Sequence, residues 1–314
     1  MSDFVEGEYL VSKFSQLKSN NSAANISFKV SKRFTTNIKR IHYLTELSDQ
    51  TLLISDNTSK ELQHIKLEKT SVQMIDNLSR RIHGMAVSPS GDVLVSTFDT
   101  RLKVFDIKTG EMTNSIYSVH PLHSCQIHVT KENRVVIGAK SSEPRLPVIG
   151  RRVVIVMDQE GKHMKEYEHD SNNKPLFTHP DSITTTSNGN TFVVDRVNDE
   201  GRSKVVVLEQ GGDVIQIYSG HPHINTESSP FKPVKLLTMA SGSVIVTELN
   251  VDTLNILNNY GQLISYHDLL DIGIKFSFSL ALSSSGHLYI GCSCKKGSPD
   301  TYKAKLYELE YFGL

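Results

Sequence analysis

Three carboxylates stand at matching places in the sequence, each at the end of a short apolar run: Asp56, Asp195 and Glu248. Carboxylate oxygens repeated around one centre are the donors that calcium prefers in proteins. Three further runs carry no carboxylate at the matching place, which is occupied there by Thr97, Ala139 and Cys292. Because the ligand set is incomplete, we expect these carboxylates to hydrogen-bond neighbouring turns.

Histidine and cysteine pairs are the second candidates for metal chemistry. His120 and His123 are separated by two residues, His221 and His223 flank one proline, and Cys292 and Cys294 would point to the same face of a strand. No carboxylate or cysteine pattern completes a four-ligand site around them. Neither a nucleophile elbow nor a phosphate-binding loop is present. The sequence therefore predicts no metal, no cofactor and no catalytic residue.

Cationic residues in or beside three segments, 140–152, 197–203 and 293–301, could bind a partner. The candidates are Arg145, Arg151, Arg152, Arg196, Arg202, Lys295 and Lys296, with Tyr302 as the aromatic residue. A basic surface with aromatic side chains is typical of proteins that bind single-stranded RNA. Acidic residues in the same segments dilute the charge, so a solvated rim of mixed charge is the alternative.

The elements that position these residues repeat along the chain. A unit of four short strands recurs six times, at intervals of roughly 40–55 residues, and residues 81–119 form the second unit. The second strands of the units read TLLISD, DVLVST, RVVIGA, TFVVDR, SVIVTE and HLYIGC. Four-stranded units at this spacing are the blades of a β-propeller. We predict an all-β, six-bladed propeller with four antiparallel strands per blade.

The two ends of the chain indicate how the ring closes. The last unit lacks a fourth strand, and segment 25–36 alternates between apolar and polar residues before the first complete unit. We expect this N-terminal segment to supply the missing outer strand. Residues 1–24 are then a linker, and residues 25–314 form the propeller.

The connections also predict where the cationic residues lie. All three cationic segments join the second strand of a unit to its third, so they should share one rim of the propeller, and insertions on one rim often build a binding face. A second basic set precedes the first strands of the early units: Lys32, Arg33, Lys39, Arg40, Arg80 and Arg81. We expect this second set on the opposite rim.

Composition excludes several classes of protein. The chain has 34 Lys and Arg against 34 Asp and Glu, so it does not bind nucleic acid through overall charge. No apolar run approaches the roughly 20 residues of a membrane span, and the N-terminus lacks the pattern of a signal peptide. Three cysteines are too few for a disulfide framework. We expect a cytoplasmic protein, monomeric as this chain and without membrane contact.

The blade pattern resembles the NHL repeat, most closely at 188–195 and the strand that follows it. The opening at 31–56 and the ending at 286–314 are similar to the C-terminal propellers of invertebrate, mollusc-type tripartite-motif (TRIM) proteins. The resemblance covers residues 25–314 and implies a recognition domain behind a RING, B-boxes and a coiled coil. This chain has no Cys/His array with zinc-ligand spacing, so ubiquitin-ligase activity cannot reside in it.

Three functional hypotheses follow. The first is a non-catalytic module that recognises a protein partner, as the substrate-recognition domain of a TRIM-like ubiquitin ligase. The second is a propeller that binds single-stranded RNA through the cationic rim. The third is a calcium-dependent hydrolase or lactonase of the six-bladed type, with calcium near the three strand-end carboxylates. The sequence favours the first, which is not an enzyme.

Overall fold

The computed structural model describes residues 26–144, 146–198, 200–294, 297, 299 and 301–314. These residues form six separate four-stranded antiparallel sheets. The predicted six-bladed propeller is therefore confirmed, with each sheet forming one blade. Within the described residues, no helix is long and apolar enough to cross a membrane.

The first three blades each follow the order of the chain from the innermost to the outermost strand. Blade 1 consists of β2 (Tyr43–Glu46), β3 (Leu52–Asp56), β4 (Glu61–Leu67) and β5 (Val72–Ser79). Blade 2 consists of β6 (Gly84–Val87), β7 (Val93–Ser96), β8 (Arg101–Phe105) and β9 (Met112–Ser118). Blade 3 consists of β10 (His123–Val129), β11 (Val135–Lys140), β12 (Arg152–Met157) and β13 (His163–Tyr167).

The remaining blades complete the ring. Blade 4 consists of β14 (Pro180–Thr185), β15 (Thr191–Arg196), β16 (Ser203–Leu208) and β17 (Val214–Tyr218). Blade 5 consists of β18 (Pro233–Thr238), β19 (Val244–Glu248), β20 (Thr253–Leu257) and β21 (Leu263–Asp268), followed by a short 3₁₀ helix, Leu269–Ile272. Blade 6 consists of β22 (Ser277–Leu282), β23 (Leu288–Cys292), β24 (Lys305–Phe312) and the N-terminal strand β1 (Ser27–Thr35).

Burial explains why the second strands are apolar throughout. Every residue of β3, β19 and β23 is buried, because neighbouring blades cover both faces of the sheet. The outermost strand β5 has no fully buried residue. The hydrophobic core therefore lies between the blades, and no blade could bury its apolar residues alone.

The N-terminal strand closes the ring. β1 pairs with β24 antiparallel from Ser27, opposite Phe312, to Thr35, opposite Lys305. Its Phe34 side chain is 1% exposed and belongs to the core shared with blade 1. The closing role predicted for segment 25–36 is confirmed, while the predicted linker at 1–24 lies outside the described residues.

The innermost strands surround a central channel. Each of β2, β6, β10, β14, β18 and β22 contacts the innermost strands of both neighbouring blades. The turns between first and second strands lie on one rim, which we call the turn rim. The connections between second and third strands lie on the other rim, which we call the loop rim. Because a first strand and a third strand of one blade run in the same direction, the blade starts also lie on the loop rim.

Candidate functional site

One level of the channel is built from side chains of alternating size. In each blade, one residue of the first strand pairs with the second-strand residue that comes just before the strand-end position. In blades 1, 3 and 5 this first-strand residue is large and polar: Tyr43, Gln126 and Lys235. Blades 2, 4 and 6 place small residues at the same position: Gly84, Ser182 and Ser279. We call Tyr43, Gln126 and Lys235 the channel floor.

Two members of the channel floor are joined across an intervening blade. Gln126 Nε2 donates to Tyr43 Oη at 2.7 Å and to the His83 carbonyl at 2.8 Å. Gly84 makes this approach possible, because a Cβ atom there would lie 3.0 Å from the backbone nitrogen of Ile127. Burial raises the pKa of Tyr43, so its hydroxyl stays protonated. The hydrogen bond therefore fixes the aromatic ring in the channel.

Lys235 is the ionisable amine of the channel floor. Its Nζ lies 5.4 Å from the centroid of the Tyr43 ring, and among the described residues it makes no hydrogen bond or ion pair. Burial lowers the pKa of Lys235 to about 8, and the charge of Asp181 acts in the opposite direction. At neutral pH a minor fraction of the Lys235 amine is therefore deprotonated.

A cavity of about 570 Å³ extends from Lys235 to the turn rim. Residues of all six blades line this channel cavity, among them Thr45, Ala86, His128, Leu237 and Ala281. Its size falls in the range of cavities that hold small ligands. The cavity is open at the turn rim, where Ser88, Glu132 and Ser284 lie.

Hydroxyl groups form one wall of the channel cavity. Thr184 Oγ1 and Thr238 Oγ1 are 2.8 Å apart, and Thr185 Oγ1 lies 2.9 Å from His128 Nε2. One hydrogen bond between two hydroxyls uses one proton, so the threonine pair keeps a second proton to donate to a ligand. Burial, followed by the charge of Lys235, lowers the pKa of His128 to about 4, so its imidazole is neutral. This wall suits a neutral ligand rich in hydroxyl groups.

On the loop-rim side of Lys235 lies a group of charged residues. Asp181 forms ion pairs with Arg196 and with His179, whose Nε2 is 3.2 Å from the carboxylate. The Asp181 charge raises the pKa of Lys235, but burial outweighs it and the pKa is lowered.

The three strand-end carboxylates are bound by their own blades. Asp56 accepts the backbone N–H of Arg40 at 3.0 Å, and Asp195 accepts that of His179 at 2.7 Å. Glu248 accepts the N–H of Lys232 at 3.4 Å and the Asn225 amide at 2.9 Å. Each carboxylate thus fixes the backbone at the start of its blade, as the sequence predicts.

These contacts also test whether the carboxylates could hold calcium. Burial raises the pKa of Glu248 to about 7, which favours the protonated acid over an ionised ligand. Among the described residues, no group of three or more His, Cys, Asp or Glu side chains is placed to hold a metal ion. The described donor set therefore does not fit calcium at the strand ends.

The histidine and cysteine pairs occupy the places expected of turns and core. The rings of His221 and His223 are tilted, with their centroids 5.5 Å apart, in the connection before β18. Cys292 is 2% exposed, and burial raises the pKa of its thiol. Cys294 is half-buried and unbridged.

The structure separates the predicted rim cations by their surroundings. Arg151 is exposed and pairs with Glu166 at 3.0 Å and Glu168 at 2.7 Å. Arg152 is 2% exposed, and its guanidinium donates to four backbone carbonyls, including those of Thr178 and Pro144. The first cation is neutralised, and the second is a structural residue of the core.

The other candidates are scattered along the loop rim. Arg196 pairs with Asp181, Arg202 is exposed in the connection between β15 and β16, and Tyr302 is 58% exposed near the ring closure. Arg145, Lys295 and Lys296 lie outside the described residues. The structure therefore brings together no more than a part of the predicted cationic rim within the described residues.

The second basic set was predicted to lie on the rim opposite the cationic segments. It lies instead on the same rim, the loop rim. Arg40 forms a β-bridge with Ser293, and the N–H of Cys294 donates to the Lys39 carbonyl. The prediction was wrong because a blade start and a connection between second and third strands lie at the same end of an antiparallel sheet.

Several solved structures share the fold over most of the chain at low sequence identity. An aldose sugar dehydrogenase from Streptomyces coelicolor is 14% identical, with 92% of this chain and 99% of that chain covered and a TM-score of 0.63. A gluconolactonase from Xanthomonas campestris is 11% identical, with 91% and 90% covered and a TM-score of 0.61. The calcium-binding protein regucalcin from Agrobacterium tumefaciens is 14% identical, with 90% and 95% covered and a TM-score of 0.60.

No protein-family model and no curated protein matches the chain. The likeness to solved structures at these identities establishes the propeller fold.

The comparisons correct the favoured functional hypothesis. The chain was predicted to be a non-catalytic recognition domain of a TRIM-like ligase, with RNA binding as the alternative. The structures that share its fold include gluconolactonases, so the shared fold does not support the expectation of a non-enzyme. The expectation that the chain is not an enzyme is therefore withdrawn, and the TRIM resemblance is reduced to the shared six-bladed propeller.

Proposed function

We propose that the protein is a hydrolase of small cyclic esters, of the sugar-lactone class, and that the reaction takes place in the channel cavity. The observation that carries this proposal is the position of the Lys235 amine at the floor of that cavity, where it makes no hydrogen bond or ion pair with a described residue and burial lowers its pKa to about 8. At pH 7 about a tenth of such an amine is the neutral base. A general base with a pKa near the working pH is the most effective kind.

The proposed step uses one water molecule and one proton carrier. Neutral Lys235 takes a proton from water as the water oxygen attacks the ester carbonyl carbon. The tetrahedral intermediate then breaks its bond to the ring oxygen, and the Lys235 ammonium returns the proton to that leaving oxygen. The products are a hydroxyl and a carboxylic acid on one open chain, and the acid releases its proton to solvent.

The wall of the cavity supplies the remaining contacts. A threonine hydroxyl of the Thr184–Thr238 pair has a proton free to donate to the developing oxyanion. Other hydroxyls, such as Thr185 and Ser283, line the same cavity and match the hydroxyl groups of a sugar lactone. Gln126 fixes the Tyr43 ring through a hydrogen bond, and the Lys235 ammonium lies over that ring. Tyr43 and Gln126 thereby position Lys235.

The likeness to gluconolactonases supports the choice of substrate class. Calcium enters no step, because the strand-end carboxylates are engaged by their own blades. The proposal therefore differs from the calcium-dependent hydrolase considered from the sequence.

The test is hydrolysis of glucono-1,5-lactone, followed in a pH-stat with the spontaneous rate subtracted, for the wild type, K235M and K108M. We expect the wild type to accelerate hydrolysis with and without EDTA. K235M should lose on the order of 100-fold or more in kcat, the contribution typical of a general base. K108M removes an exposed lysine of an outer turn and should match the wild type.

Three results would contradict the proposal or its metal-independent step. One is a wild-type rate equal to the spontaneous rate. Another is a K235M variant that is folded, by its thermal unfolding transition, and as active as the wild type. A rate abolished by EDTA and restored by calcium would contradict the metal-independent step.

A further inference from the structure

A second cavity, of about 490 Å³, lies where the ring closes. Its walls come from β1, from β24, from the segment before β22 and from both ends of the connection between β23 and β24. We call it the seam cavity, and its characteristic residues are Arg33, Lys275, Lys303, Lys305, Tyr302 and Tyr307. It is distinct from the channel cavity, with which it shares no lining residue.

The seam cavity is strongly cationic. Four of the described residues that line it are Lys or Arg, and none is Asp or Glu, in a chain whose charges balance at 34 against 34. On β1, the neighbouring Lys29 and Lys32 form ion pairs with Glu310 and Glu308. Arg33 and the three cavity lysines form no ion pair with a described carboxylate. Their charge is therefore available to a ligand.

The charges that act on the pKa of a thiol at the edge of the cavity also indicate a positive potential there. Burial raises the pKa of Cys294, but four nearby cations act to lower it. They are Lys39, Lys303, Lys305 and Arg40. Two of these cations line the seam cavity, so the positive field extends from its wall to the neighbouring blade start.

Two of the cations are held in place by the walls. Lys305 Nζ donates to Thr35 Oγ1 at 2.5 Å, and the Arg33 guanidinium carbon lies 5.7 Å from the centroid of the Tyr307 ring. An arginine held against an aromatic ring loses little conformational entropy when it binds an anion. The half-exposed Tyr302 ring lies on the same cavity and offers an apolar surface to the rest of a ligand.

We propose that the seam cavity binds a small molecule that carries a phosphate or diphosphate group. Arginine and lysine donors bind such oxygens through charge-assisted hydrogen bonds. The cavity volume fits one small ligand. Since the walls belong to the first and last strands of the ring, the bound ligand contacts both and stabilises their pairing.

The test is isothermal titration of the purified protein with inorganic pyrophosphate, and in parallel with glucose 6-phosphate, at constant ionic strength. We expect saturable binding with one site and a rise in the thermal unfolding temperature on addition of ligand. R33Q and K303Q should each weaken binding about tenfold or more. K108Q removes the same charge far from the cavity and should bind like the wild type. The unfolding temperature of each variant without ligand checks its fold.

The proposal would be overturned by the absence of saturable heat with both probes. It would also be overturned if R33Q and K303Q, both folded, bound pyrophosphate as tightly as K108Q, since the ion would then bind elsewhere. Binding confined to long polyanions, with neither small phosphate bound, would equally reject a small-molecule site.

Discussion

Lys235 and Arg152 are both cations inside the protein, and their surroundings give them different roles. Arg152 donates to four backbone carbonyls, so its charge is fully used by the fold. Lys235 has no such partners among the described residues, and its pKa falls to about 8. A group in a cavity with a lowered pKa is a candidate for function, and this contrast distinguishes Lys235 from the structural Arg152.

From the sequence, a structural cation in the core could not be distinguished from an exposed one. Arg151 and Arg152 are consecutive and look alike in sequence, yet one is exposed and the other is 2% exposed. Which of two neighbouring residues faces the core depends on where β12 begins, and a shift of one residue exchanges them.

These two arginines give a matched test at the residue scale. R152Q removes a buried guanidinium that donates to four backbone carbonyls and should cost about 3 kcal/mol of unfolding free energy. R151Q removes an exposed ion pair and should cost less than about 1 kcal/mol. Urea unfolding of both variants measures the difference. Equal costs would show that Arg152 is not held as the structure describes.

At the scale of the strands, the blade pattern is local and could be predicted. Each blade combines alternating apolar residues with tight turns, and in two of the turns Gly189 and Gly242 adopt φ of +83° and +88°. The channel floor could not be predicted, because register shifts interrupt the first strands of blades 3 to 6. An extra residue in one strand changes which side chains face the channel. Aligning Tyr43, Gln126 and Lys235 at one level required the observed register.

Gly84 tests this arrangement of strands. Its backbone is not left-handed, so the effect of alanine is steric: the Cβ would lie 3.0 Å from Ile127 N and 3.1 Å from Gln126 Cα. We expect G84A to cost about 1–3 kcal/mol and to displace Gln126 from Tyr43, which lowers kcat/KM for the lactone.

The matched control is G138A. There the nearest contact is the flexible end of the Ile183 side chain, at 3.1 Å, although Pro180 lies only 3.3 Å away. G138A should lose less stability than G84A in the same urea experiment and keep its kcat/KM. The opposite order would show that β10 does not pack on Gly84 as described.

At the scale of the whole molecule, the ring depends on joining its two ends. The sequence predicts this closure because a missing fourth strand and an unassigned alternating segment complement each other. The function was mispredicted from the same sequence, because strand chemistry is common to propellers of many kinds. The channel floor unites residues 43, 126 and 235, which no local pattern connects.

Phe34 tests whether β1 is an integral part of the ring. F34A removes a side chain that is 1% exposed and should cost about 3–5 kcal/mol. F312A, at the exposed end of β24, should change stability by less than about 1 kcal/mol. Thermal unfolding followed by calorimetry compares the two. A stability unchanged in F34A would mean that the ring is stable without β1.

The most direct measurement of the central claim is the pH profile of kcat/KM for glucono-1,5-lactone, after subtraction of spontaneous hydrolysis. A base acts when it is deprotonated, so the rate should rise with pH and level off above an apparent pKa of about 8 in the wild type. In K235M this inflection should be absent and the remaining rate low. A wild-type profile without an inflection near pH 8, or the same inflection in K235M, would contradict the assignment of Lys235 as the base.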